Sequence, residues 1–309
     1  MKKIYFTWIV LMVALCLAAC EKTIEFDGEE SEPRLTVSAL ARAGEPFTAY
    51  VSSSVFFLNN QSLKSFTEDL DVSRGTVRVT VNGTAPVLMH SEPVKMDGSF
   101  LYACDYVPQP GDHIVLEAEF PGFDPVRAET SVPLPPRFEV TSLKYQATGQ
   151  LELEMTLVLY DDGSYEKYYC LVPKAVIRYE GMEDSYQMPY LYRSDDIVFK
   201  DMGTGVFEMY SFLFGDDDLV SCYFSDELIR GKEHEIRIVI PGVQPPEENH
   251  RLFVDLRTVT ESLYWYDVSY AQLNTDFSVF SEGVTLYSNV VGGYGVLCAS
   301  ATTCVEIHF

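Results

Sequence analysis

Basic residues are scarce in this chain. Lys and Arg number 22 against 46 Asp and Glu, for a formal charge of −24. Nucleic-acid binding needs clustered cations, so that class is excluded. Anionic lipid would repel the same surface, so membrane attachment has to come from something other than basic side chains. No Cys-x-x-Cys, His-Glu-x-x-His or Gly-x-Ser-x-Gly occurs. The usual marks of zinc sites, thioredoxin-like centres, zinc proteases and serine hydrolases are therefore missing. The five histidines fall in no metal-ligand spacing, no internal repeat of fixed period is present, and only the N-terminus carries a long apolar run. No cofactor and no enzymatic activity are expected from these residues.

Apolar residues make up 47% of the chain, and its 20 Tyr and 19 Phe supply ample material for a packed core. Disorder is excluded on that composition.

Lys2 and Lys3 head the apolar run Ile4 to Leu17, which is interrupted only by Thr7. The run is shorter than the roughly 20 residues of a membrane span and ends in small residues without a basic stop-transfer cluster. Leu17-Ala18-Ala19-Cys20, followed at once by Glu21, resembles the lipobox of bacterial lipoproteins. On that reading residues 1–19 are a signal peptide and Cys20 is lipidated. Two or more acyl chains suffice for stable anchoring at about 0.8 kcal/mol per buried CH₂. Residues 20–33, with Glu25, Asp27, Glu29, Glu30 and Glu32, read as an acidic tether.

From Arg34 the pattern has period two. Leu35, Val37 and Ala39 alternate with polar neighbours, as do Phe47, Ala49 and Val51, then Val77, Val79 and Val81 up to Asn82-Gly83. Asn-Gly signals a tight two-residue hairpin turn. Residues 58–74 read as a long loop, and Phe100, Tyr102 and Cys104, then Ile114, Leu116 and Ala118, continue the alternation. Short strands at regular spacing predict an Ig-like β-sandwich over 34–135. Pro133, Pro135 and Pro136 cannot lie in a central strand and mark the boundary. Residues 136–309 are expected to form a second β-rich domain, so the fold class is mainly β.

In that second part Leu151, Leu153, Met155, Leu157 and Leu159 give the cleanest alternation, and Ile236, Ile238, Ile240 and Leu252, Val254, Leu256 give others. Residues 181–205 read as loop. Ser225 is positioned to cap a short helix through Arg230. Leu263, Tyr266, Tyr270 and Leu273 recur at helical spacing, which predicts one packed helix near 260–274, with Thr258 and Glu261 as a capping box. Its aromatics Tyr264, Trp265, Tyr266 and Tyr270 suit core packing first and a binding platform second.

Chemistry has few footholds. Cys298 and Cys304 are close enough in sequence to bridge two arms of a hairpin in an oxidising compartment, if the geometry suits. Cys104, Cys170 and Cys222 sit in apolar settings and read as buried thiols. Asp216, Asp217 and Asp218 are the best oxygen-donor set for Ca²⁺, but they lack the spacing of an EF-hand and read first as a solvated turn. The glycines of Asn289-Val290-Val291-Gly292-Gly293-Tyr294-Gly295 do not follow a phosphate-loop pattern and read as turn or bulge residues.

The opening Cys20-Glu21-Lys22-Thr23-Ile24-Glu25-Phe26, then Pro33-Arg34-Leu35-Thr36-Val37, resembles the start of Bacteroidota lipoproteins of the family designated domain of unknown function 4249. Thr285-Leu286-Tyr287-Ser288-Asn289-Val290-Val291-Gly292-Gly293-Tyr294-Gly295-Val296 is similar to that family's closing Tyr-Ser-Asn-Ile-x-Gly-Gly-x-Gly pattern, and Val132-Pro133 also fits. The resemblance implies a surface-exposed, lipid-anchored outer-membrane protein that assists a TonB-dependent transporter in nutrient uptake. It brings no catalytic residues. A structural adhesin or fimbria-like subunit is the alternative, and a secreted hydrolase ranks last.

Overall fold

The computed structural model describes residues 32–54, 70–96, 99–146, 151–179, 185–202, 222–247, 249–275 and 285–308. Every element belongs to the compact unit formed by Pro33–Val55 and Gln61–Phe309. The architecture is mainly β with one α-helix among the described residues, as the alternation implies.

The first half contributes β1 (Leu35–Arg42), β2 (Thr48–Ser53), β3 (Thr76–Val81), β4 (Val87–Leu88), β5 (His90–Met96), β6 (Ser99–Ala103), β7 (His113–Glu119) and β8 (Val126–Ser131). The second contributes β9 (Arg137–Gln146), β10 (Glu152–Tyr160), β11 (Tyr168–Arg178), β12 (Ser185–Pro189), β13 (Cys222–Ser225), β14 (Glu233–Pro241), β15 (His250–Val259), the helix α1 (Glu261–Thr275) and β16 (Tyr294–Ile307). A four-stranded sheet, β4-β3-β7-β8, and a three-stranded sheet, β14-β10-β9, accompany one nine-stranded sheet. The large sheet runs β12-β11-β15-β16-β1-β2-β6-β5, with β13 also paired to β11.

Two cores result. Leu35, Val37, Ala39, Val51 and Phe100 of the large sheet pack with Val77, Val79, Ile114 and Leu116 of the four-stranded sheet. Leu171, Leu252, Val254 and Leu256 pack with Leu153, Met155, Leu157, Ile236 and Ile238 of the three-stranded sheet. Leu153, Met155, Leu157 and Leu159 on β10 are almost wholly buried. Each such side chain is worth about 1.5–3 kcal/mol. A one-residue slip would turn all four to solvent, which fixes the register.

Pro133 to Pro136 connect β8 to β9 and so separate the two smaller sheets. They do not separate the large one. The last strand, β16, lies parallel to the first, β1, from Thr36 opposite Tyr294 to Arg42 opposite Ser300. Leu297 and Ala299 of β16 belong to the first core, and Ile307 belongs to the second. The halves expected as 34–135 and 136–309 therefore share a backbone-bonded seam.

Local details differ from the sequence reading in three places. Asn82 and Gly83 are both left-handed, with φ of 51° and 71°, but the connection from β3 to β4 spans residues 82–86. Asn82 is also tied elsewhere: its Nδ2 donates to Asp112 at 2.7 Å and its Oδ1 accepts from the His113 amide at 2.8 Å. Residues 226–231 form turns rather than a helix, held by the buried Asp226 carboxylate accepting from Arg230. Residues 185–189 pair as the edge strand β12, which the loop-like composition hides.

Candidate functional site

Strand alternation gathers a set of polar side chains on the face of the large sheet opposite the two cores. Asp255 stands opposite Cys304, Arg257 opposite Thr302, and Ser300 opposite Arg42. Val172 faces Asp255, so Lys174, two residues on, shares that face, and Val176 brings in Gln187. Five adjacent strands thus line one cleft of about 220 Å³, with Glu45 at its rim. Side chains projecting from a continuous sheet are held more rigidly than side chains on loops.

Asp255 is the centre of this cleft. Its side chain is only 4% exposed. Lys174 Nζ donates to Oδ2 at 2.7 Å, and the Arg257 guanidinium lies 3.6 Å from the same oxygen. Oδ1 has no hydrogen-bond partner. The Cys304 thiol is exposed at the cleft edge. Desolvation, then the adjoining Asp255 carboxylate, pushes it up to about 12. Apart from Cys304, read as half of a disulfide, none of these residues stands out as a site from the sequence. The one visible signal is Asp255 itself, a carboxylate inside the apolar run Leu252-Phe253-Val254-Asp255-Leu256.

A second cavity, of about 260 Å³, lies beside Pro135, Pro136, Arg137, Tyr160 and Tyr165. Its floor is a filled network. Asp161 Oδ1 accepts from the amides of Gly163 and Gly231, both at 2.7 Å. Oδ2 accepts from Tyr169 at 2.7 Å and Lys167 at 3.2 Å, and Lys167 also pairs with Asp162. Desolvation alone would raise the Asp161 carboxyl, but the Gly231 amide, the Tyr169 hydroxyl and the other donors outweigh it and hold it below its ordinary value. Every polar group is met, so the network ties the β10–β11 loop to the turn before β14 and acts as structure.

The helix aromatics divide as core packing requires. Tyr264 and Tyr266 are buried against Val259, Val296 and Cys298, while Trp265 is 42% exposed and meets Tyr264 edge-on. The cap is Thr260, whose carbonyl accepts from Leu263 and Tyr264, and Thr258 lies inside β15.

The expected bridge between Cys298 and Cys304 is overturned. Both lie on the single continuous strand β16, and both thiols are free. Six residues at about 3.3 Å each place them roughly 20 Å apart, far beyond disulfide reach. Cys298 is buried and its Sγ donates to the Ala39 carbonyl at 3.4 Å. Cys170 is buried and Cys104 half-buried. Cys20 and the aspartates 216, 217 and 218 lie outside the described residues. Among the described residues no group of three or more His, Cys, Asp or Glu is placed to hold a metal ion. No helix among them is long and apolar enough to cross a membrane.

The glycine-rich segment before β16 is a seam. A Cβ at Gly292, Gly293 or Gly295 would fall 2.4, 2.2 or 2.0 Å from the carbonyl oxygens of Pro125, Leu35 or Val37. Val291 and Arg127 exchange backbone hydrogen bonds at 2.8 and 3.0 Å. Close backbone approach, not phosphate binding, explains these glycines.

No family model matches the chain, and no curated protein matches it. Among solved structures it is similar to a protein of the family designated domain of unknown function 4785 from Legionella pneumophila, at 12% identity and a TM-score of 0.25, over 85% of this chain and 57% of that one. It is also similar to an alpha-2-macroglobulin of Salmonella, at 14% identity and a TM-score of 0.23, over 92% of this chain and 15% of that one. The major pilin subunit of Bacillus cereus shares 10% identity at a TM-score of 0.20, over 73% of this chain and 64% of that one. The chain thus spans less than two thirds of the length of each of these proteins, and likeness at this level bears on neither fold nor activity.

Proposed function

We propose that this chain is an outer-membrane lipoprotein, anchored through Cys20, whose β body is the accessory binding component of a TonB-dependent nutrient uptake system. The observation that carries binding is the cleft around Asp255, a charged and hydroxyl-lined cavity built from five strands of one sheet. The lipobox Leu17 to Cys20 supports the location. Kinship with the family designated domain of unknown function 4249 is part of the proposal. The closing motif that suggests it sits where the backbone demands glycine at three positions. Strand order supports an Ig-like reading of the first half. Sheets ordered β1-β2-β6-β5 and β4-β3-β7-β8 correspond to strands A-B-E-D facing C′-C-F-G.

The test is affinity capture of the native chain from outer membrane, with Cys20→Ala as the partner variant. A TonB-dependent transporter should co-purify with the wild type, and the variant should leave the membrane fraction while staying folded. A variant that stays in the membrane removes the anchor from Cys20. Capture with no transporter, from a chain that polymerises when purified, would favour the adhesin-like alternative.

A further inference from the structure

We propose that β9 is a pairing edge for a second copy of this chain, with the two β9 strands antiparallel about a two-fold axis between Thr141 and Ser142. The pairing goes beyond the binding reading above and does not depend on it.

The first observation is an edge. β9 ends the three-stranded sheet and is bonded to β10 alone among the described residues. Alternate residues of such a strand turn their N–H and C=O groups away from the sheet, where a further strand can take them. Val140 and Leu143 pack against the second core but stay only half-buried at this edge. A second strand covers them.

The second observation is the symmetry of the strand. The ladder with β10 passes from Val140 opposite Leu157 to Ser142 opposite Thr156, so Thr141 is the extra residue of a bulge. The bulge switches the phase of the alternation. Phe138 and Val140 face the core before it, and Leu143 and Tyr145 after it. Arg137, Glu139 and Thr141 face outward on one side of the centre, and Ser142, Lys144 and Gln146 on the other. The order of inward and outward residues therefore reads the same from either end. Residues directly opposite in an antiparallel pair point to the same side. Self-pairing meets that condition over the whole strand only with Thr141 opposite the second copy's Ser142. Val140 then meets the second copy's Leu143. A shift of one residue sets Val140 against an outward-facing polar residue instead.

The third observation is charge. In the full register Glu139 falls opposite the second copy's Lys144, once on each side of the axis. Two shorter registers also match the faces, one centred on Glu139 and one on Lys144, but each sets a like charge against itself, which is unfavourable. Lys144 already pairs with Glu154 of its own β10 at 2.9 Å, so in the dimer it lies between two carboxylates. Exposed ion pairs add little affinity but choose the register. A bulge and a lysine ordinarily guard an edge against pairing. Here they leave one register open. Both edges are used in it, so the assembly closes as a dimer.

The test is light scattering of the full chain in detergent, read after size-exclusion chromatography. The wild type should be a dimer. Glu139→Lys and Lys144→Glu each set like charges opposite one another on both sides of the axis, and each should weaken dimerisation on the order of tenfold. Mixed together, the two variants should pair with each other, because each supplies the charge the other lacks. A fold defect in either variant would persist in the mixture, so this rescue is specific to strand pairing. The proposal is overturned by a wild type that is monomeric at all concentrations, by growth beyond the dimer, by dimerisation that neither reversal weakens, or by a mixture that pairs no better than its parts. A monomeric wild type whose Glu139→Lys form no longer captures a transporter would also overturn it, and would give the edge to a strand of that transporter.

Discussion

Asn289 grips Leu297 by both backbone groups: its Nδ2 donates to the Leu297 carbonyl at 2.8 Å, and its Oδ1 accepts from the Leu297 amide at 2.9 Å. The reason lies in the neighbouring strands. β15 pairs with β16 only from Ser300 onward, then turns off toward α1. The β16 edge left open is closed by Thr260, which exchanges bonds with Ala299, and by Asn289. A side-chain amide here substitutes for a strand.

Asn289→Leu should therefore leave the Leu297 amide without a partner, while the Leu297 carbonyl keeps the Ser262 hydroxyl at 3.2 Å. A loss of about 1–3 kcal/mol is expected for the unmet amide. Asn289→Asp, which keeps the acceptor and loses the donor, should cost less. Urea unfolding followed by circular dichroism measures both. A loss below about 0.5 kcal/mol for Asn289→Leu would mean that water serves the edge equally well.

Gly295 tests the seam itself. It has φ of 106°, and a Cβ there would meet the Val37 carbonyl at 2.0 Å. Gly44 is also left-handed, at 85°, but has open space around it. Gly44→Ala should cost only the backbone term, about 1–2 kcal/mol. Gly295→Ala adds a clash that only separation of β1 and β16 relieves, so it should be clearly the more damaging. Thermal melting of the pair isolates the steric part, and equal melting points would show that the seam yields freely.

These two residues also show what the sequence could and could not convey. Alternation along β10 or β15 is local and was legible residue by residue, as was the helix around Leu263 and Tyr266. The pairing of β1 with β16 joins Val37 to Gly295, and no local pattern carries that distance. Edge strand β12 lacked a buried face to announce it. The cleft was hidden for the same reason as the seam. Its residues are spread from Arg42 to Cys304 on five strands, and only Asp255, polar inside an apolar run, stood out of place. The closeness of Cys298 and Cys304 in sequence suggested a bridge between two arms of a hairpin. The chain instead passes close to β1 and runs on straight.

Asp161 gives a pH prediction. Its carboxyl is held below the unfolded value of 3.8. Desolvation opposes this, and the amides of Gly231 and Gly163, the Tyr169 hydroxyl and Lys167 overcome it. A group whose folded value is depressed stabilises the fold fully above its unfolded value and loses that contribution as pH falls through the folded one. Stability should therefore drop as pH falls below about 4. Asp161→Asn should flatten that part of the profile and, by leaving Lys167 less well paired, lower stability at pH 7 by about 2–4 kcal/mol. Denaturant titrations between pH 7 and pH 2.5 decide it. An unchanged profile in the variant would assign the acid transition to other carboxylates.

The thiols supply the last test. Cys298 and Cys304 sit on one strand with Cys304 exposed beside Asp255. Without reduction, both should be recovered as free thiols by mass spectrometry after alkylation in denaturant. In the native chain Cys304 should react slowly despite its exposure. Desolvation and the Asp255 carboxylate raise it from 9.0 to about 12. The thiolate fraction at pH 8 is then on the order of a thousandfold smaller, partly offset by the greater nucleophilicity of a more basic thiolate. Asp255→Asn removes the negative neighbour and should speed labelling of Cys304 while leaving Cys104 unchanged. A peptide linking residues 298 and 304, or native labelling as fast as in denaturant, would contradict the geometry of β16 and its carboxylate.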